Sequence, residues 1–281
     1  MGIISHGINL TSNNQPNSDQ NQIIAELQNF ELGRFLLSNH GLNGYWTNYI
    51  LQYPQQGHLT GLSSDGSKLS KMETWILSQC PILLATQERY QQFRRITQQL
   101  LRSNMHLASV PCGLMQDLLS LDYQAFDNIQ LSGLDLDPDS LAHADQLSQS
   151  APANLTINFA CVDAWQIPGN TEWDLISSNG LNIYVPEDAR CIALYQQFAN
   201  KLKTGGYLIT SFITPPQCWQ PHNLADLVQQ NLILNQGIAA KWQSFRSEKE
   251  IKRQLETAGF EILELIPDQQ NMFPTVLARK I

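Results

Sequence analysis

Four places in the second half of the chain carry the residue types best suited to holding a ligand. Gly113 lies in "HLASVPCGLMQDLL", where an apolar run gives way to a turn, and Asp135 closes "IQLSGLD" twenty-two positions later. Asp163 closes "NFACVD", and Asn179, Asn182 and Tyr184 follow "WDLISS". A glycine lets backbone approach a ligand closely, and an acidic residue about twenty positions beyond such a turn is placed to accept the hydroxyls of a ribose. The set suits a ribose, a base edge and an amino-acid head. Metal chemistry is not indicated. Cys80, Cys112, Cys161, Cys191 and Cys218 are far apart, with no C-x-x-C pair and no histidine at ligand spacing, so they read as reduced and mostly buried thiols.

The elements that must position these residues follow from periodicity. After residue 104, short apolar runs recur at "MHLASV", "IQLSGLD", "LTINFACVD", "WDLISSN" and "GGYLITSFI". Between them stand stretches able to form helices, such as "DSLAHADQLSQ" and "DARCIALYQQFANKL". The alternation predicts an α/β fold with βαβ units and a mainly parallel sheet. In such sheets a ligand lies beyond the carboxyl ends of the strands, which is where Gly113, Asp135, Asp163 and Asn179 fall. Before residue 104 the period is helical: Ile23, Ile24, Leu27, Phe30 and Leu36 mark one face, ending at Asn39, His40 and Gly41. Two more helices are predicted over 70–77 and 81–101, the second with Pro81 in its first turn. Residues 11–22 are polar and read as a leader. The chain thus divides into a helical extension, 1–104, and an α/β domain, 105–281, with 214–245 as an insertion on the substrate side.

Composition limits the partners. The 281 residues are 42% hydrophobic and carry a net charge of −8, with a pI near 5.2. That is enough apolar content for a sizeable core. No basic stripe follows a phosphate backbone or an anionic membrane, no apolar run approaches the length of a membrane span, and the start lacks the pattern of a signal peptide. A cytoplasmic protein acting on a small molecule, without nucleic acid or membrane as partner, is the expectation.

Residues 105–281 resemble a class I S-adenosylmethionine-dependent methyltransferase. The family's first strand ends in an acidic residue followed by G-x-G-x-G; the aligned positions here are Ser109, Pro111, Gly113 and Met115, so the middle glycine alone remains. Asp135 matches the acidic residue that binds the ribose hydroxyls, and Asp163, with Ala164 beside it, matches the one near the adenine amino group. "WDLISSNGLNIYVPEDARCIALYQQFANKLKTGGYLITSF" resembles the fourth strand, its substrate-facing loop and the Lys-x-Gly-Gly turn into the fifth. "FRSEKEIKRQLETAGFEILEL" and "PTVLARK" resemble the closing helix and last two strands. The resemblance implies a Rossmann-like seven-stranded sheet with helices on both faces. It also implies S-adenosylmethionine as cofactor, held by Pro111, Cys112, Gly113, Asp135, Leu136, Asp163, Ala164 and Asn179, with a small-molecule acceptor receiving the methyl group. No universal catalytic residue is implied.

The missing glycines fit that cofactor. A dinucleotide fold needs several glycines to bring backbone onto a pyrophosphate. S-adenosylmethionine has no phosphate, and one close approach at Gly113 suffices. A short-chain dehydrogenase would need Tyr-x-x-x-Lys, and no tyrosine here has lysine four residues on. A nucleic-acid amino-methylase would show Asn or Asp followed by Pro-Pro-aromatic where this chain has Ser178-Asn179-Gly180-Leu181. A non-catalytic S-adenosylmethionine-binding or interaction protein, and an aminopropyltransferase of the same fold, stay open as alternatives. Tyr45, Trp46 and Tyr49 in the extension, and Asn182, Tyr184 and His222 in the domain, are the candidates for the acceptor side. The extension is expected to fold over the strand ends while leaving the donor pocket mostly independent of it.

Overall fold

The computed structural model describes residues 18–170, 172–240 and 244–281. The expected polar leader lies outside the described residues as far as 17; from Ser18 the chain is helical. Helices α1 (Ser18–Leu27), α2 (Glu31–Asn39), α3 (Gly44–Gln52), α4 (His58–Thr60), α5 (Lys71–Ser78) and α6 (Pro81–Leu100) come first. Then follow β1 (His106–Ser109), α7 (Gln116–Leu119), β2 (Ile129–Asp135), α8 (Pro138–Ser148), β3 (Leu155–Cys161), β4 (Trp173–Ser178), α9 (Asp188–Lys201) and β5 (Leu202–Ser211). The chain ends with α10 (Leu224–Asn231), α11 (Glu248–Thr257), β6 (Phe260–Ile266) and β7 (Thr275–Lys280).

The single apolar period over Ile23 to Leu36 is two helices rather than one. Phe30 is extended between them, and a Cβ at Gly33 would stand 2.0 Å from the Leu27 carbonyl oxygen. Only a glycine lets α2 cross the end of α1 so closely, while the Arg34 guanidinium donates to the Gln28 carbonyl at 2.9 Å and satisfies one of the helix-end acceptors.

The seven strands form one sheet in the order β3-β2-β1-β4-β5-β7-β6. β1 to β5 are parallel neighbours, and β7 runs antiparallel to both β5 and β6. The sheet is therefore mixed, its mainly parallel character interrupted by one reversed strand. Successive strand residues alternate between faces, as the pleat requires. Leu107, Leu175, Ile209 and Leu277 pack in one cluster with Phe93 and Ile96 of α6, Leu118 of α7 and Leu141 of α8. Ala108, Ile176, Leu208 and Ala278 pack in the other with Leu194 and Phe198 of α9 and Leu255 of α11.

A third core lies outside the sheet. Leu32, Ile50, Trp75 and Leu77 of the N-terminal helices pack with Ile233, Leu234 and Ile238, which belong to a π-helical stretch after α10. The segments before β1 and between β5 and α11 thus form one helical body. Residue 104 is not a packing boundary: α6 gives Ile82, Leu83 and Ala85 to this helical body and Phe93 and Ile96 to the sheet. Among the described residues, no helix is long and apolar enough to cross a membrane.

Candidate active site

A cavity of about 450 Å³ opens at the carboxyl ends of β1, β2 and β4, roofed by α3 and α6. Its size is in the range of small-molecule sites. The loop after β1 forms its floor. The Val110–Pro111 peptide is cis, and Gly113 takes a left-handed φ of 49°. The Gly113 amide donates to Asp135 Oδ2 at 2.8 Å and the Asp137 amide to Asp135 Oδ1 at 3.0 Å. One carboxylate thereby ties the floor to the end of β2, with further lone pairs on both oxygens left for hydroxyl donors. Asp137, just before Pro138, is the N-cap of α8, as its place predicts.

Met115, where the family motif has its third glycine, is also left-handed, with φ 54°. That conformation costs a residue with a Cβ about 1 to 2 kcal/mol. The side chain compensates: Met115 is fully buried in the sheet-face core, and its sulfur fills the space above Gly133. Deleting a buried side chain of this size costs about 2 to 5 kcal/mol, so methionine outweighs the conformational advantage of glycine.

A buried carboxylate lines the cavity beside Ser109. Asp117, eight positions on in α7, is buried and lines the cavity. It accepts the Ser177 hydroxyl at 2.6 Å and the Ser109 hydroxyl at 3.0 Å. Burial holds its carboxyl above the ordinary range, and the two serines work against that shift. Cys112, in the floor loop, is driven upward by burial and by Asp135 and Asp117, so its thiol stays protonated.

The predicted residues do not all converge. Pro111, Cys112, Gly113, Asp135, Leu136, Ala164, Asn179 and Tyr184 line the cavity. Asp163 does not: its Oδ1 accepts the Trp165 amide at 2.9 Å in a local turn. On the acceptor side, Trp46 is in the helical core, and Tyr45 packs edge-on against it, with ring centroids 5.0 Å apart. Tyr49 donates to Glu73 at 2.9 Å. Asn182 is buried, its amide donating to the Tyr195 hydroxyl and the Ser211 carbonyl, each at 2.8 Å. The His222 imidazole meets Gln269 at 3.2 Å. None of these five reaches the cavity wall, and none of the described residues of 214–245 lines it.

The roof comes instead from residues the sequence reading passed over. Thr47, Asn48 and Leu51 of α3, and Ile82, Thr86 and Arg89 of α6, face the cavity. Asn43 caps α3 by accepting the Trp46 amide at 3.0 Å. Gly44, its first residue, meets the floor directly: a Cβ there would stand 2.8 Å from the Gly113 Cα and 2.5 Å from the Ser140 hydroxyl. The loop after β1 therefore depends on α3 for its packing and is not independent of the extension. A signal for Arg89 was present, because it lies seven residues after Ile82, four before Phe93 and seven before Ile96, on the inward stripe of its helix.

A sheet of this order, with a cavity over its strand ends built on a glycine turn and a β2 carboxylate, is that of the class I S-adenosylmethionine-dependent methyltransferases. Solved structures agree. A magnesium protoporphyrin IX methyltransferase from Synechocystis, with S-adenosylhomocysteine bound, superposes at TM-score 0.53 and 14% identity, over 84% of this chain and 99% of that one. An S-adenosylmethionine-dependent methyltransferase from Methanosarcina mazei gives 0.50 and 15%, over 66% and 97%. A possible exported protein from Bordetella parapertussis is 38% identical over 93% of this chain and 87% of its own, with TM-score 0.84. The chain belongs to one family with that Bordetella protein, and its fold is the class I methyltransferase fold. No protein-family model and no curated protein matches it.

Proposed function

We propose that the protein transfers the methyl group of S-adenosylmethionine to a small-molecule acceptor. The observation that carries the reading is the Gly113–Asp135 pairing at the floor of the cavity, where a tight backbone turn and a strand-end carboxylate meet at 2.8 Å. The residues fit the donor. Asp135 has lone pairs open toward ribose hydroxyls, Leu136 and Ala164 offer apolar contact for a base, and Asn179 Oδ1 is a buried acceptor without a partner, suited to an ammonium group. Asp163 borders this region through Ala164. When bound, the donor supplies a sulfonium methyl that is displaced in line, the C–S bond breaking as the acceptor's lone pair forms the new bond.

The work of the chain's own residues is then orientation. Holding acceptor and donor in a near-attack arrangement is worth about 7 to 11 kcal/mol. The roof helices exclude water, and Asp135 and Asp137 give the donor side a negative field suited to a cation. Tyr184, in the wall, has its hydroxyl raised by burial, against a smaller opposing pull from the nearby Arg89 charge; the phenol stays protonated and offers a hydrogen-bond donor to the acceptor.

A cytoplasmic place of action fits the intracellular donor, while the Bordetella relative carries the description of a possible exported protein. The test is calorimetric titration with S-adenosylhomocysteine and S-adenosylmethionine, followed by incubation of labelled donor with a metabolite extract. Saturable binding of both and label transferred to small molecules is the expected result. Binding without transfer would favour a sensor, preference for decarboxylated donor an aminopropyltransferase, and absence of binding would overturn the reading.

A further inference from the structure

Arg89 is the one cation among the described residues lining the cavity. It is 5% exposed, yet no carboxylate among the described residues lies within ion-pair distance of its guanidinium. Its Nη1 reaches the Ser211 hydroxyl at a long 3.4 Å, its Nε is buried without a partner, and its carbon sits 4.4 Å above the Phe273 ring. The acidic groups in its field are the Tyr184 phenol and Asp268, and the Asp268 carboxylate is spent on the amides of Gln270, Met272 and Phe273 at 2.5 to 2.9 Å. Burial lowers the guanidinium to about 10, which leaves it charged at neutral pH. A buried charge with open donors and no anionic partner is costly in an empty protein. The cost is recovered when a ligand supplies the missing acceptors.

The position of Arg89 tells which ligand. Its neighbours are Gly180 after β4, where a Cβ would stand 3.4 Å from Nη1, Ser211 at the end of β5, and Phe273 before β7. Most of the proposed donor-holding residues follow β1, β2 and β3, and Asn179, after β4, is the last of them in the sheet order. The guanidinium reaches past it to Ser211 at the end of β5 and Phe273 before β7, toward the half of the sheet that a donor resting on Asp135 and Gly113 does not cover. The wall beside it is apolar: Leu51, Ile82, Leu83 and Ile183. With one guanidinium and no second cation in the wall, the site matches a singly charged, planar carboxylate better than a phosphate.

We infer that Arg89 binds an anionic group of the acceptor, and that the acceptor is a small molecule with an apolar body and one carboxylate. The inference rests on the methyltransferase reading for its division of the cavity into donor and acceptor halves. It is tested with the full chain and matched probes, phenylpropionate against phenylpropionamide and hexanoate against hexanamide, titrated by ligand-observed NMR in the presence of S-adenosylhomocysteine. The acids should bind at least tenfold more tightly than their amides. Arg89→Met should abolish that preference while S-adenosylhomocysteine affinity stays within threefold. Equal binding of acid and amide to the wild type, or no binding of either at millimolar concentration, overturns the inference whether or not the variant folds. So does an Arg89→Met protein that keeps the acid preference but loses S-adenosylhomocysteine, because the arginine would then hold the donor's own carboxylate. Failure of the wild type to bind S-adenosylhomocysteine would strike the methyltransferase reading instead, and the acid-to-amide ratio can still be measured without it.

Discussion

The two walls of the cavity use their polar groups in opposite ways. On the floor, Asp135 and Asp117 each accept two donors from the chain itself, the first from Gly113 and Asp137 and the second from Ser177 and Ser109. On the roof and the far wall, Asn48 Oδ1, Asn179 Oδ1 and Arg89 Nε are buried with no hydrogen-bond partner among the described residues. A satisfied wall is preorganised and costs little to keep. An unsatisfied one lowers the stability of the free protein by roughly 1 to 3 kcal/mol per orphaned group, which is tolerable where a ligand completes the bonds. The contrast separates the part of the site that shapes itself from the part that waits for its ligand.

The severest way to break the contrast is to attack the helix common to both walls. Phe93 is fully buried between α6 and the sheet, and Phe93→Ala should cost about 3 to 5 kcal/mol, read as a fall in urea midpoint. A chain beginning near residue 103 loses that face altogether and is expected to be insoluble. Retained stability in either would mean that α6 is an accessory to the sheet.

Next in size is the floor. Asp135→Ala should weaken S-adenosylhomocysteine binding by about 1.5 to 3 kcal/mol, roughly 10- to 150-fold, and lower the melting temperature as Gly113 and Asp137 lose their acceptor. A folded variant with undiminished affinity would remove Asp135 from the donor site.

The roof should respond in the other direction. Asn48→Leu takes away a buried acceptor that nothing satisfies, and the ligand-free variant should gain up to about 1 kcal/mol in unfolding free energy. A loss of that size would show that Asn48 is satisfied in solution, and the contrast between walls would weaken.

The smallest effect is a pH dependence. Burial raises Asp117 above its ordinary 3.8, so the fold favours the protonated acid. Its contribution is complete below 3.8 and lost as pH rises through the raised value. The unfolding free energy of wild type minus Asp117→Asn should therefore decline from acid toward neutral pH. A difference that is flat across this window would mean that the carboxyl titrates normally and is open to water.

Much of this was legible in the chain. The short apolar runs "HLASV" and "LISS" and the helical spacing of "PILLATQERYQQFRRITQQL" placed β1, β4 and α6 to within a residue or two, because burial on one or both faces dictates those patterns. Asp135 and Gly113 were legible because strand ends and turns constrain residue type locally. Asp117 was hidden because its partners, Ser109 and Ser177, meet only when β1 pairs with β4. The aromatics Tyr45, Trp46 and Tyr49 misled for the complementary reason: α3 turns its polar face, Thr47 and Asn48, to the cavity, Trp46 and Tyr49 toward the helical body, and Tyr45 to the surface beside His143 of α8. The segment 214–245 follows the strand ends in sequence, but its apolar side chains find their partners on α1 and α2.

The joining of the N-terminal helices to the π-helical stretch after α10 limits how the cavity can open. A flap carried on a single crossing swings about one joint. Here the cover is tethered to the sheet at Leu101–Met105, again after β5, and a third time before α11, so a rigid swing would need three tethers to flex in concert. At the seam Gly44 and Gly113 meet backbone to backbone with the small Ser140 side chain beside them, and helix shear along such a seam is a smaller movement than hinge opening. Ligands entering this protein would thus pass a sliding door and not a lid.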